Sequence, residues 1–462
     1  MRKLLFAVFG ILLFQTVHSQ NCSCELEFRH IKDFMEANYA GFKDKQAKMT
    51  EAVYNKLVKE YLGYSRGPHS TEHCLLIITS FLDHFRDEHV SVVANFNATR
   101  VDSLFVSRRE LIHIPEKRLL ALEKSTTPEG IYWFKHDSSY KIAVLQDKTP
   151  LHDYIGVIVG SRLPGWKPGM LKFEGKFIND SVLKGVLYMR NQEPKVEWFW
   201  LGKDRIGGDW QREGTTMEAQ RPYTDEPVAS RMLSAKTLYI KIASFSPSNA
   251  KNIDSVMAIH KADLATTPNL ILDLRDNGGG SDFTFAPLLP YLYTNPVRNA
   301  GTDVWSTDST IAGWRRELDD PDLPRATKDE INHIIAMMEA SKGQFVNFGP
   351  EEIDSSMSPL PYPSTVIILI NRGCASSTEQ VLLAARQSAK VRLFGQNTSG
   401  TLDYSNVRRT NFLCMPYILG YSTTRSRRVD QHEGIDNTGI RPDHYLDVSA
   451  DWIQAAVSAL RQ

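Results

Sequence analysis

The sequence predicts an α/β fold, and three stretches carry that expectation. Residues 366–370, VIILI, form a wholly apolar, β-branched run of the kind a strand buried on both faces requires. The break Asn371-Arg372-Gly373 follows, then a turn of small residues, a helical stretch over 379–390 and a second apolar strand at 391–394. Upstream, 270–274 is another buried strand, and it runs into Arg275-Asp276-Asn277-Gly278-Gly279-Gly280. Before that, Leu238, Ile240 and Ile242 alternate as in a strand, and 249–264 is amphipathic through Ile253, Val256 and Met257. Strands alternating with helices make this an α/β pattern.

At the N-terminus, Arg2 and Lys3 precede an apolar run over 4–14 that closes with Val17-His18-Ser19. Residues 1–19 therefore read as a secretory signal peptide, too short to span a membrane. Cys22 lacks the residues that precede a lipoprotein cysteine, so no lipid anchor is expected and the mature chain is exported, secreted or periplasmic, and soluble. The 462 residues imply two or three domains. Lysine plus arginine and aspartate plus glutamate both number 54, and no basic run stands out, which leaves no electrostatic case for a nucleic-acid partner. Cys22, Cys24, Cys74, Cys374 and Cys414 are too few for a disulfide scaffold, but one or two bridges suit an oxidising compartment. Cys22-Ser23-Cys24 is too tight to pair with itself, which makes Cys74 a candidate partner. Asn21, Asn97, Asn179 and Asn397 each begin an Asn-x-Ser/Thr triplet, a short pattern that matters only in a eukaryotic host.

Residues 20–102 form an N-terminal helical region. Phe28, Ile31, Phe34 and Met35, then Leu75, Ile78, Leu82 and Phe85, repeat at helical spacing. The period changes at Asp87-Glu88-His89, a turn leading into a strand. By itself His89 reads as a locally hydrogen-bonded histidine. His69 and His73 lack further metal ligands and read as structural. Residues 103–230 form a β-rich middle domain with short strands at 141–145, 155–159 and 197–200. Its turns are at 164–169 and Gly207-Gly208. The α/β core occupies 231–462, with a helical insertion at about 300–362 that includes a helix over 328–342. After Gly400 come a strand at 410–415, an ordered loop at 434–443 and a last helix at 452–460.

Two stretches carry chemistry. A serine at a helix N-terminus sits beside unpaired backbone N–H groups that stabilise a developing oxyanion. Capping alone also explains Ser376, Ser377 and Thr378, with Glu379 completing a capping box, and caps are far commoner than nucleophiles. The glycines at 278–280 let backbone N–H groups approach a substrate or simply make a flexible turn. They are not a phosphate loop, since no Gly-Lys-Ser/Thr ending is present. Cys374 reads as a buried turn thiol.

Together these pieces resemble the C-terminal processing (tail-specific) serine peptidases, a family that includes the tricorn core protease. LILDLRDNGGG (270–280), NRGCASSTEQ (371–380), FGQNTSGT (394–401) and DNTGIRPD (436–443) carry the likeness, with FRDEHVSV (85–92) as a weaker block. The resemblance implies a crotonase-like α/β core of stacked β–β–α units. Tail-specific members use a serine–lysine dyad, but Thr401 stands at the lysine position, and no lysine follows Val391. That leaves the arrangement of the tricorn-like members, with a histidine from the N-terminal part as base.

The expected site has Ser376 as nucleophile, His89 as base and Asp436 as the acidic support, with Glu88 or Asp87 in reserve. Backbone N–H groups of Gly278 or Gly279 and of Ser377 form the oxyanion hole. The substrate is polypeptide, no metal or organic cofactor is required, and no membrane is involved after signal cleavage. The alternative is a non-catalytic peptide- or lipid-binding protein on the same fold, as with retinoid-binding proteins that resemble this core. Residues 164–173 faintly resemble part of a peptide-binding PDZ module.

Overall fold

In the computed structural model, the described residues are 22–95, 111–135, 138–178, 182–207, 209–215 and 226–461. The predicted leader and the Asn21, Asn97 and Asn179 triplets lie wholly or partly outside them.

The apolar runs singled out in the sequence become neighbours in one six-stranded sheet. Its order is Val228–Ser234, Thr237–Ile242, Asn269–Asp273, Thr365–Ile370, Val391–Gly395 and His444–Tyr445. The first pair is antiparallel and the rest are parallel. Both faces of the central strands are covered, which explains why 270–272 and 366–370 are apolar at every position. Leu270, Leu272, Ile368 and Ile370 pack on the side of helices Ala250–Ile259 and Ser377–Ala385. Ile271, Ile367 and Leu369 pack on the other side, against Trp452 and Ala456 of the last helix.

Register fixes where the chemistry sits. Asp273 pairs with Leu369, so the glycine loop and the serine turn leave adjacent parallel strands at the same end. Carboxyl ends of neighbouring strands in such sheets are where ligands bind.

A second sheet of five strands supplies the histidine. Ser91–Ala94, directly after His89, pairs with Tyr417–Ser426, which also pairs with Thr302–Trp305 and Tyr404–Asn411. The expected insertion at about 300–362 is thus not only helical. Its helices Asp308–Glu317 and Arg325–Ala340 are flanked by strands of this sheet, Thr302–Trp305 and Phe345–Gly349. The strand expected at 410–415 runs instead over Tyr404–Asn411, because 412–416 forms the hairpin turn.

Residues 130–212 build an eight-stranded antiparallel sheet. Its edges meet where Leu201 bridges Ile206 and the Gly207 N–H donates to the Trp200 carbonyl, which closes it into a barrel. The stretch 164–173 is a turn and strand of this barrel, and consecutive strands from Gly130 to Trp200 pair in simple up-and-down order. Tyr132, Ile142, Phe173 and Leu183 of the barrel share one core with Phe28, Ile31 and Phe81 of the N-terminal helices. Among the described residues, no helix is long and apolar enough to cross a membrane.

The N-terminal helix is pinned to the hairpin turn from two directions. Glu27, fully buried, accepts backbone N–H bonds from Leu413, Cys414 and Met415. Cys22 is disulfide-bonded to Cys414, and Cys24 to Cys74. Replacing Cys24 and Cys74 by serine removes a link between residues 50 apart in sequence. The expected loss is about 4 kcal/mol of stability in urea titration with the other bridge intact. An unchanged midpoint would contradict this.

Candidate active site

Ser376 begins the helix Ser377–Ala385, and a serine there normally caps it with backbone in the extended region. This one does not. Its backbone stands at φ 56° and ψ −124°, and its side chain makes no capping hydrogen bond. A non-glycine residue so far into positive φ costs on the order of 1–3 kcal/mol and persists only where neighbours over-determine it. The cap and the nucleophile are thereby distinguished, because the hydroxyl has turned away from the helix. It lies 3.2 Å from His89 Nε2.

His89 is held from two sides. Its Nδ1 is 2.7 Å from the carbonyl oxygen of Tyr404. A carbonyl can only accept, so Nδ1 carries the proton and Nε2 is left as the acceptor for the serine hydroxyl. Its backbone N–H donates to Asp87, whose other oxygen accepts from the buried Tyr39 hydroxyl and from Ser422. Burial, reinforced by the neighbouring Asp87 carboxylate, pushes the Tyr39 phenol well above its ordinary value, so it remains a donor.

Three groups hold the serine turn. Glu379 is fully buried and accepts from the Gly400 and Thr401 N–H groups, the Thr398 hydroxyl and the Ser376 N–H. Half of the expected capping box exists, therefore, without the serine half. Burial raises the Glu379 carboxyl despite those donors. Asn277, also fully buried, accepts from the Gly279 N–H and the Thr378 hydroxyl, and donates to the Ile242 carbonyl. Its own carbonyl accepts from the Ala375 N–H. Cys374 donates its thiol to the Leu274 carbonyl, and burial pushes that thiol up to about 12, leaving it inert as a nucleophile.

The glycine loop lies against this turn. A Cβ built on Gly279, at φ 95°, would lie 2.9 Å from the Ser377 nitrogen and 3.0 Å from Ser376 Cβ, so only glycine fits. Its N–H is already given to Asn277, which removes Gly279 from the expected oxyanion donors. The N–H groups of Gly278 and Ser377 have no partner among the described residues. Ser377 is the first residue of its helix and Gly278 is exposed, so both donors are available to a ligand.

Asp436 does not touch His89, contrary to the expected support role. Its carboxylate is 2.7 Å from Lys45 Nζ and 3.3 Å from Lys48 Nζ. Lys45, 4% exposed, also donates to the Arg86 carbonyl and lies over the Tyr404 ring, while the Tyr404 hydroxyl donates to Asp44. The support expected of Asp436 falls to Asp87 and the Tyr404 carbonyl, and Asp436 acts one layer further out. The Glu88 carboxylate accepts from the Ser399 and Thr401 hydroxyls. Tyr404 and Lys45 escaped the sequence reading because a backbone carbonyl and a lone helical lysine leave no motif. No cluster of three or more His, Cys, Asp and Glu side chains suited to a metal occurs among the described residues.

Residues 236–446 match the family model described as Peptidase family S41. Among solved structures, mature CPAF complexed with lactacystin aligns with a TM-score of 0.50 at 12% identity, over 95% of this chain and 96% of that one. A CPAF mutant gives 0.51 at 12% identity, over 95% of each. A putative peptidase from Parabacteroides merdae gives 0.47 at 14%, over 96% and 98%. No curated protein matches by sequence. The CPAF structures show a shared fold.

Glu379→Gln turns an acceptor-only group into one that meets four donors with an amide. The expected cost is about 3 kcal/mol of stability, with Ser376 reactivity falling in parallel. Lys45→Met leaves a nearly buried carboxylate with only the exposed Lys48 beside it, at about 3 kcal/mol in urea unfolding, and adding Asp436→Leu recovers much of that loss. A double variant as unstable as the single one would show that the ion pair is not what Lys45 contributes.

Proposed function

We propose that this chain, a serine peptidase by its family S41 domain, cleaves polypeptides through Ser376 with His89 as general base. One observation carries the reading: an uncapped, positive-φ serine hydroxyl 3.2 Å from the ring nitrogen that its histidine leaves unprotonated. In the first step the Ser376 Oγ–H proton passes to His89 Nε2 as Oγ bonds to the peptide carbonyl carbon. The carbonyl π electrons move to oxygen, and the Gly278 and Ser377 N–H groups receive that oxyanion. Such donors are each worth roughly 3–4 kcal/mol of barrier. When the carbonyl re-forms, the C–N bond breaks and His89 gives its proton to the leaving amine. Water, deprotonated by the same imidazole, then hydrolyses the acyl-serine.

The charge that develops on His89 is met by the Tyr404 carbonyl at Nδ1, with Asp87 fixing the loop. We read the core as crotonase-like and the chain as one of the tricorn-like members that work without the dyad lysine. Thr401, held by Glu88 and Ser399, offers hydroxyl chemistry only. We also read the protein as exported, a reading that two disulfides support.

A fluorophosphonate reporter on the folded chain tests this. Ser376→Ala should abolish labelling, and His89→Ala should slow it roughly a thousandfold with the fold intact by circular dichroism. Thr401→Ala should remain within about tenfold of wild type, because it removes no proton acceptor. Full labelling of His89→Ala would remove the histidine from the mechanism. A folded wild-type chain that takes no label would favour a binding role on the same fold.

A further inference from the structure

A cavity of about 360 Å³ is lined from Gln380 onward by the helix that Ser376 begins, and its size falls within the ~300–1,000 Å³ range of ligand clefts. Two elements that start at the candidate site form its walls. One is the helix Ser377–Ala385, which contributes Gln380 and Ala384. These lie four and eight residues after Ser376, so helical spacing sets all three on one stripe, and the Gln380 N–H donates to the Ser376 carbonyl. The other is the segment after the glycine loop, where Asp282, two residues past Gly280, begins a short helix. Gly280 itself is bridged to Phe245, whose ring packs on Phe285 of the cavity wall.

The lining is chemically one-sided. Most of it is apolar, including Phe285, Leu289 and Leu292. Two carboxylates, Asp282 and Asp354, face the cavity, and no lysine, arginine or histidine does among the described residues. Asp354 is already bonded by Ser356, whereas Asp282 has no partner cation among the described residues, and desolvation raises its carboxyl. Arg298, Arg386 and Arg428 line an adjoining cleft that shares Asn299, Gln380 and Ala384 with this one. There Arg298 is paired with Glu351 and Glu433, and Arg428 with Asp403.

We propose that this cavity receives the side chain of the substrate residue whose carbonyl Ser376 attacks, and that it selects a long basic side chain, lysine or arginine. The methylene stem lies along Leu289 and Ala384, and the cationic end meets Asp282. The carbonyl at Ser376 Oγ and the cavity wall at Gln380 are separated by one turn of helix, about 6 Å, which a lysine or arginine chain spans.

The inference rests on the peptidase reading, and the test separates the two. Peptidyl diphenyl phosphonates phosphonylate an active serine with loss of phenol. Two such probes, identical except for a lysine-like or a leucine-like side chain at the phosphonate residue, are compared with a fluorophosphonate that has no such side chain. On the wild-type chain the basic probe should react at least ~10-fold faster, the scale of one well-placed charge contact. Asp282→Asn should bring the ratio towards one, and Asp282→Lys should invert it against a glutamate-like probe, while the fluorophosphonate rate holds within about twofold. Ala384→Leu, which fills the cavity, should slow both peptidyl probes. Equal rates on wild type, a faster leucine probe, or a ratio unmoved by Asp282→Asn would each overturn the cavity assignment. So would fluorophosphonate labelling without reaction of either peptidyl probe, and in all these cases the peptidase reading stands. Failure of all three reagents on folded protein would overturn both.

Discussion

The candidate site depends on the backbone of one residue. Ser376 at φ 56° sits in a conformation that ordinary side chains avoid, and this conformation aims its hydroxyl at His89 instead of back at the helix it begins. The cost must be offset locally, and the buried carboxylate of Glu379 does most of that. By accepting from the Ser376 backbone and from residues 398–401 together, it locks the turn against the segment behind it. Asn277 performs the same task from the front, joining the glycine loop to the turn through both side-chain and backbone bonds.

Neither half of the site is complete without distant chain. The serine belongs to the parallel sheet and the histidine to the five-stranded sheet, 287 residues earlier in sequence. What aligns them is the ladder from Ser91 to Gly420 and the strand that starts at Tyr404, whose carbonyl sets the imidazole tautomer. Behind that strand, Lys45 and Asp436 neutralise one another where a lone charge of either sign would be costly. Beside the serine turn, the Ser399 and Thr401 hydroxyls and the Glu88 carboxylate bond one another.

Much of the fold was legible because burial on two faces writes itself as unbroken apolar runs. Residues 270–274 and 366–370 could hardly be anything but central strands, and the glycines after the first announced a close backbone approach. The barrel over 130–212 was harder to trace. Its half-buried strands mix lysines and glutamates into the interior, as at Lys172, Glu174 and Lys184, so period-two alternation is blurred. The strands inside the 300–362 insertion were missed for a related reason: each is only a few residues long, and they meet each other across two intervening helices, with Thr302–Trp305 also pairing to Tyr417–Ser426.

The sequence by itself determined the α/β core, the glycine loop and the small-residue turn that holds Ser376, because those features are local and lie within a few residues of one another. Only the tertiary structure decided which carboxylate supports which group. On paper Asp436 leads as companion of His89, with Glu88 or Asp87 in reserve, and Glu379 reads as half of a capping box, but a carboxylate's role is fixed by which donors and cations folding brings within hydrogen-bond reach. Here those donors are a histidine backbone for Asp87, two hydroxyls for Glu88, a serine turn for Glu379 and a buried lysine for Asp436. The same holds for Gly278 and Gly279, adjacent and chemically identical, of which one N–H is consumed by Asn277 and the other is left open.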